Sequence, residues 1–286
     1  MIRTLSVLFS SLVVVLALSM TSCDQMFSSN IFAKWTHPTP SASDIAQKTP
    51  GQLLDYVSSP VNVGILTDNP DLKAAALDSM SAIYGTVALS ADAQSAAIAS
   101  AAISIQTVAS ANLLSASILG ALAGGKTISE GSTPAETVAN ITSLVKTVLP
   151  SDIAASLANG DATPPASFVA MIDAYAQANK AYVALGTGIA GGGYAAGAAL
   201  GSTSAAVTAA ESGIAVNAVI SGIIMAVNPT VTSVSTASAL WSALTGADVG
   251  AFSVEQSAIS DLTTGTGPIA NLVGASSLSN LIGGSK

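Results

Sequence analysis

The stretch TPPASFVAMIDAYAQANKAYVAL (residues 163–185) decides how this chain folds. Phe168, Met171, Ile172, Tyr175, Ala178, Tyr182 and Leu185 recur every three or four positions. That spacing puts them on one side of an α-helix and on both sides of a strand. Thr163-Pro164 stands just before them as a start signal, because proline is tolerated in the first helical turn.

The same grammar extends toward the N-terminus. Thr49-Pro50-Gly51-Gln52 is a capping box that opens a helix carrying Leu53, Leu54 and Val57. Asn69-Pro70 opens another, with Leu72, Ala76, Met80, Ile83 and Tyr84 on one face. From Ala93 to Leu119 the period continues through Ala97, Ile98, Ala101, Ile105, Val108, Leu114 and Ile118, which reads as one long helix. Thr133-Pro134-Ala135-Glu136 is a second capping box, followed by Val138, Ile141, Val145, Val148 and Leu149, and Pro150 ends that helix.

Toward the C-terminus the pattern loosens. Gly186, Gly188, Gly191, Gly192 and Gly193 read as a loop or hinge, and a sub-boundary of the domain is placed at 186–193. Gly193, Gly197 and Gly201 follow at four-residue spacing within an uncharged run, Val183–Ala210. Small residues so spaced let helix backbones approach closely, in a membrane-inserting oligomer or inside a tight bundle. Composition favours the bundle, since Ala, Gly, Ser and Thr drive insertion far less than Leu, Ile or Phe. Gly213–Val227 reads as a buried core helix, and further helices are expected at 231–244, 249–262 and 268–282, with Gly246 and Gly283 as caps. Period-two alternation rarely lasts four residues. The expected fold is therefore all-α: an Ala/Gly-rich irregular multi-helix bundle or helical-hairpin superhelix. The capped starts at Thr49, Thr133 and Thr163 share no period, so a regular repeat array is not expected.

Composition narrows function by exclusion. Half the residues are apolar and 8% charged, and sixteen acids against eight bases give a net charge of −8. A nucleic-acid binder needs a basic stripe, and none can be assembled. The sole histidine, His37, lies far from the periodic segments, which rules out a Ser-His-Asp triad in the body and any multi-histidine metal site.

Three motifs imitate chemistry. Gly120-Ala-Leu-Ala-Gly-Gly-Lys126-Thr127 fits the phosphate-loop pattern, and Phe168–Ile172 with Asp173 imitates its metal-binding partner. Ser110–Leu119 reads as helix where a strand is required, while Gly131 and Pro134 interrupt the helix that must follow. Ser143-Leu-Val-Lys146 matches the serine–lysine element of penicillin-recognising enzymes, but its companion motifs reduce to Ser151-Asp152-Ile153 and Lys126-Thr127-Ile128. Asp68, Asn69 and Asp71 offer oxygens to a cation, yet stand where capping and the helix dipole favour them. Asp78, Asp92, Glu130 and Glu211 are isolated acids, not a glycosidase pair. Tyr175 and Tyr182 read as core. No catalytic residue, cofactor site or metal site is assigned, and the chain is expected not to be an enzyme.

The N-terminus carries an address. Arg3 precedes the uncharged run Leu5–Leu18, which suits a signal sequence and falls short of the ~20 residues of a membrane span. Ser19-Met20-Thr21-Ser22 then leads to the only cysteine, Cys23, which resembles a relaxed bacterial lipobox. Residues 1–22 are read as a lipoprotein signal peptide, Cys23 as the lipidated residue, 23–42 as a tether with Pro38 and Pro40, and 43–286 as the helical domain. Cys23-Asp24-Gln25-Met26-Phe27 through Asn30-Ile31-Phe32, together with Gln94–Ile105, resembles spirochaete envelope lipoproteins. The resemblance covers the first third of the chain and implies an exported, all-helical, membrane-anchored body. The leading expectation is a binding or scaffolding module held at the membrane by its lipid, with a protein partner or an apolar ligand. The alternative is a carrier of an apolar ligand or lipid in a cavity between helices.

Overall fold

The computed structural model describes residues 39–86, 90–123, 134–191, 209–227, 233–245, 267–269 and 272. Among them stand eleven helices and no strand. They are α1 (Ala42–Ala46), α2 (Pro50–Val57), α3 (Pro60–Asp68), α4 (Pro70–Thr86), α5 (Ala91–Gln106), α6 (Ala109–Ala123), α7 (Pro134–Val148), α8 (Ser151–Asn159), α9 (Ala166–Ala190), α10 (Ala209–Val227) and α11 (Ser233–Thr245). The all-α expectation holds.

α9 is the hub, packed against α4, α5, α6, α8, α10 and α11. Phe168, Met171, Ile172, Tyr175, Ala178, Tyr182 and Leu185 are all buried, as their spacing requires. Two boundaries differ from the sequence reading. The helix begins at Ala166, not behind Thr163, because Pro165 follows Pro164. A residue before proline is pushed out of the helical region, and Pro165 itself is extended (φ −65°, ψ 154°). The helix also runs through Gly186 and Gly188 to Ala190, where a hinge was expected. Both glycines are buried there. A Cβ at Gly186 would lie 1.7 Å from the Pro268 carbonyl oxygen, so the missing side chain is what lets residues 267–269 dock on the helix. Ile269 and Leu272 complete the core at that point.

The long helix read from Ala93 to Leu119 is two helices. α5 and the main part of α6 meet at 101°. No proline or glycine marks the bend. Thr107 makes it: its N–H and its hydroxyl both donate to the Ile103 carbonyl, closing α5 locally. The turn sends Leu114 and Ile118 into the core beside α9.

Three short helices were not anticipated: α1, α3 and α8. α3 follows Pro60. Asn69, expected to open α4, also closes α3: its side-chain amide donates to the Ile65 carbonyl at 2.7 Å, while its own carbonyl accepts from Lys73 N–H. α8 follows Pro150 and stops at Asn159-Gly160. That dipeptide would turn a hairpin between strands. Here Gly160 takes the left-handed conformation (φ 73°), and its N–H bonds back to Leu157 and Ser156. The capping box at Thr49–Gln52 is formed as expected, with both reciprocal hydrogen bonds.

Two cores share α5. The smaller joins Ile45, Leu53, Leu66, Ala76 and Met80 of α1–α4 to Ala96, Ala99 and Ile103. The larger takes Ala93, Ala97, Ala101 and Ile105 from α5 and gathers α6, α9, α10 and α11 around it. A helix buried on two faces needs small side chains for close approach, which explains its run of alanines.

Among the described residues no single helix is long and apolar enough to cross a membrane; only the bent α5–α6 pair passes such a test of length and composition jointly. Cys23, the signal segment and the tether as far as residue 38, Thr133, the Gly193/Gly197/Gly201 spacing and the expected caps Gly246 and Gly283 lie outside the described residues. The end of the expected tether is already structured: Ser41 caps α1, which starts at Ala42, through a capping box with Asp44. So does the expected helix at 249–262 and most of that at 268–282.

Candidate functional site

Helices α6, α9 and α10 enclose space twice. Near the start of α9 lies a cavity of about 60 Å³, bounded by side chains such as Leu114, Phe168, Met171, Ile220 and Ile224. Phe168 meets Trp241 of α11 edge-on, with ring centroids 5.1 Å apart. The Trp241 indole N–H donates to the Asp161 carbonyl at 2.7 Å, which fixes this end of the bundle. The walls offer almost no polar surface, so the space favours staying dry.

Toward the other end of α9 a cavity of about 510 Å³ opens between α2, α5, α6, α9 and α10. It exists because α6 leaves α5 at a steep angle instead of continuing along it. Leu54 and Val57 (α2), Ile98, Ala101 and Ile105 (α5), Leu119 (α6), Leu185 (α9) and Ile214 (α10) supply apolar walls. Asp55, Ser58, Gln106 and Asn112 are exposed at its edge. Its volume falls within the range of ordinary small-molecule sites.

Three helices bring polar side chains to the depth of this cavity: Ser115 from α6, Tyr182 from α9 and Asn217 from α10. Tyr175 stands behind them, its hydroxyl 2.7 Å from Ser115 Oγ and 3.1 Å from the Ala111 carbonyl. Ser115 donates to Asn217 Oδ1. Asn217 faces the Tyr182 hydroxyl and tempers the rise that burial imposes on its pKa. The Ala111 carbonyl stands within reach of both hydroxyls, 3.1 Å from that of Tyr175 and 2.9 Å from Ser115 Oγ, so neither proton has a single acceptor. Burial pushes both tyrosine hydroxyls well above their ordinary pKa, so they act as neutral hydrogen-bonding groups and not as bases.

Tyr175 and Tyr182 were read as core residues, and both are buried. Tyr182 also faces the cavity, which that reading did not foresee. Ser115 and Asn217 were not singled out. The available signal was polarity out of place, since Asn217 interrupts the apolar stretch of α10 between Val216 and Ala218. The motif imitations are scattered. Gly120–Ala123 are helical, and the rest of that phosphate-loop pattern lies outside the described residues. Ser143 and Lys146 are exposed on α7. Asp152 accepts a 2.5 Å hydrogen bond from Ser167, which holds its carboxyl below the usual range. Asp68 and Asp71 are exposed, and no three His, Cys, Asp or Glu side chains converge among the described residues.

The chain matches no family model, and neither a curated protein nor a solved structure matches it.

Proposed function

We propose that this chain is a lipid-anchored envelope protein that binds a small, largely apolar molecule in the cavity between α2, α5, α6, α9 and α10, without catalysing a reaction on it. The 510 Å³ cavity, with buried Ser115 and Tyr182 and half-buried Asn217 in its lining, carries the reading. A scaffold has no need of such a space, and leaving it empty forfeits packing contacts all along its walls. Ser115, the one hydroxyl nucleophile among its deep residues, is hydrogen-bonded to an amide and a raised-pKa phenol, neither of which activates it. The anchor rests on the sequence around Cys23. An acyl chain contributes about 0.8 kcal/mol per buried CH₂, and several chains on one cysteine hold a protein at a bilayer.

Native mass spectrometry of the chain released from its own membranes tests the binding. The expected spectrum carries an additional non-covalent mass that disappears in Leu185→Trp, whose indole fills the cavity. A spectrum of the bare protein alone defeats the proposal. Metabolic labelling with palmitate tests the anchor separately: label is expected on the native chain and absent from Cys23→Ala.

A further inference from the structure

We infer that this cavity selects its occupant by charge: it takes an uncharged amphiphile, an alkyl or alicyclic body ending in a neutral hydrogen-bonding group, and rejects carboxylate, phosphate and ammonium heads. This inference rests on the reading of the cavity as a binding site and adds the class of molecule that its walls admit.

The two ends of the space constrain the ligand separately. The outer end is rimmed by Asp55, Ser58, Gln106 and Asn112, all exposed. The inner end holds buried Ser115 and Tyr182 and half-buried Asn217. Aliphatic side chains form the wall between them and call for an apolar body. A ligand that is hydrocarbon throughout would cover the inner polar groups and cut them off from water, which is costly for each one left without a partner.

A charged head has two ways to enter, and both are unfavourable. Head inward, the ion leaves water for a wall with no opposite charge. Among the described residues no Lys, Arg or His lines the cavity, and Asp55 at the rim is its one carboxylate. Lys48, near α2 in sequence, is held over the Tyr56 ring, 5.2 Å from its centroid. Lys73, Lys146 and Lys180 stand outside the lining on α4, α7 and α9. A buried ion without a partner costs far more than a buried dipole. Head outward, the ion keeps its water, but the methyl end of the tail then lies against Ser115, Tyr182 and Asn217. An anion in that pose also sits beside Asp55, in a chain of net charge −8. A neutral polar end turned inward avoids every one of these costs. A hydroxyl and a carboxamide serve alike, since each donates and accepts.

Photolabelling of the full chain in its membranes tests this, with a diazirine-bearing decanol as the probe. Label is expected on α6 and α9 around Leu119 and Leu185. Competitors of equal chain length are compared at equal membrane concentration and pH 8, where decanoate and decylamine are both charged. Decanol and decanamide should each displace the probe at concentrations at least ~10-fold below those of the two ions, a modest share of the cost of an unpaired buried charge. Ile214→Lys brings a cation into the wall and should improve decanoate relative to decanol at least ~3-fold. Ala116→Lys places the cation at an exposed position of the mouth and should shift that ratio the same way. Probe labelling retained in either variant shows that its cavity is formed, and partitioning into the bilayer cancels from the change in ratio. Displacement by decanoate or decylamine as effective as by decanol overturns the selection by charge and leaves a binding cavity. So does a ratio unmoved in both lysine variants while labelling persists. Labelling confined to residues outside the cavity overturns both readings.

Discussion

The two cavities share three helices, α6, α9 and α10, and differ in what those helices point inward. α6 turns Leu114 and Ile118 toward the small one and Ser115 and Leu119 toward the large one. α10 sends Val219, Ile220, Ile223 and Ile224 to the first, Ile214 and Asn217 to the second. α9 supplies an aromatic and aliphatic cluster at its start and Tyr182 with Leu185 further on. The small space is a packing remainder between irregular aliphatic surfaces. The large one pairs bulk with hydrogen-bonding groups. Such groups are costly to bury unless something answers them, so their presence distinguishes a site from a flaw.

The contrast can be broken most forcefully by truncating one wall of each. Ile172→Ala, at the tightly packed end, is expected to destabilise by about 2–5 kcal/mol in chemical denaturation, through lost burial and the added void. Leu185→Ala should lie at the lower end of that range, because a side chain already facing open space forfeits fewer contacts. Equal losses would mean the two ends are packed alike.

Gly186→Ala probes the boundary of the large cavity from behind, one residue past Leu185. A methyl group forced against the Pro268 carbonyl should cost about 1–3 kcal/mol. Proteolysis near residues 267–272 should quicken with it. A protease pattern identical to that of the native chain would show that this segment does not depend on the glycine.

Tyr175→Phe removes the hydroxyl that bonds to Ser115 and to the Ala111 carbonyl and leaves the apolar end of the molecule untouched. The expected cost is about 0.5–1.5 kcal/mol at neutral pH. The pH dependence has a definite sign. The folded-state pKa of Tyr175 and of Tyr182 is raised above the ordinary value of 10.0, so the fold holds these protons more tightly than the unfolded chain does. Their contribution is fully present below pH 10 and is lost as the pH rises beyond it. Stability should therefore fall more steeply above pH 10 in the native chain than in Tyr175→Phe. An ultraviolet titration in which all tyrosines ionise near pH 10 without unfolding would contradict it.

Ala116→Trp should have the smallest effect on stability, within about 0.5 kcal/mol, because Ala116 is exposed at the mouth of the large cavity. The additional non-covalent mass in native mass spectrometry should nevertheless be lost.

Much of this architecture is legible in the amino-acid order, and the misses are instructive. Periodicity locates α9 and its buried face residue by residue, and the capping box fixes the start of α2, because both signals are local. The α5–α6 bend escapes. Alanine-rich sequence keeps its helical period across a corner, and Thr107 is a common helix residue until tertiary contacts choose the turn. Gly186 reads as a breaker from its neighbours alone; its role depends on Pro268, eighty-two positions away. The site is hidden for the same reason. Ser115, Tyr182 and Asn217 are spread over three helices, and no spacing rule joins them. Only the lone asparagine within α10 stood out in principle, as a polar residue inside an apolar run.

The notch at Gly186 also bears on the order of assembly. It exists only once α9 has wound past that position, so the segment around Pro268 can seat only on a helix already formed. That segment acts as a latch on the stretch of α9 that lines the large chamber with Tyr182 and Leu185.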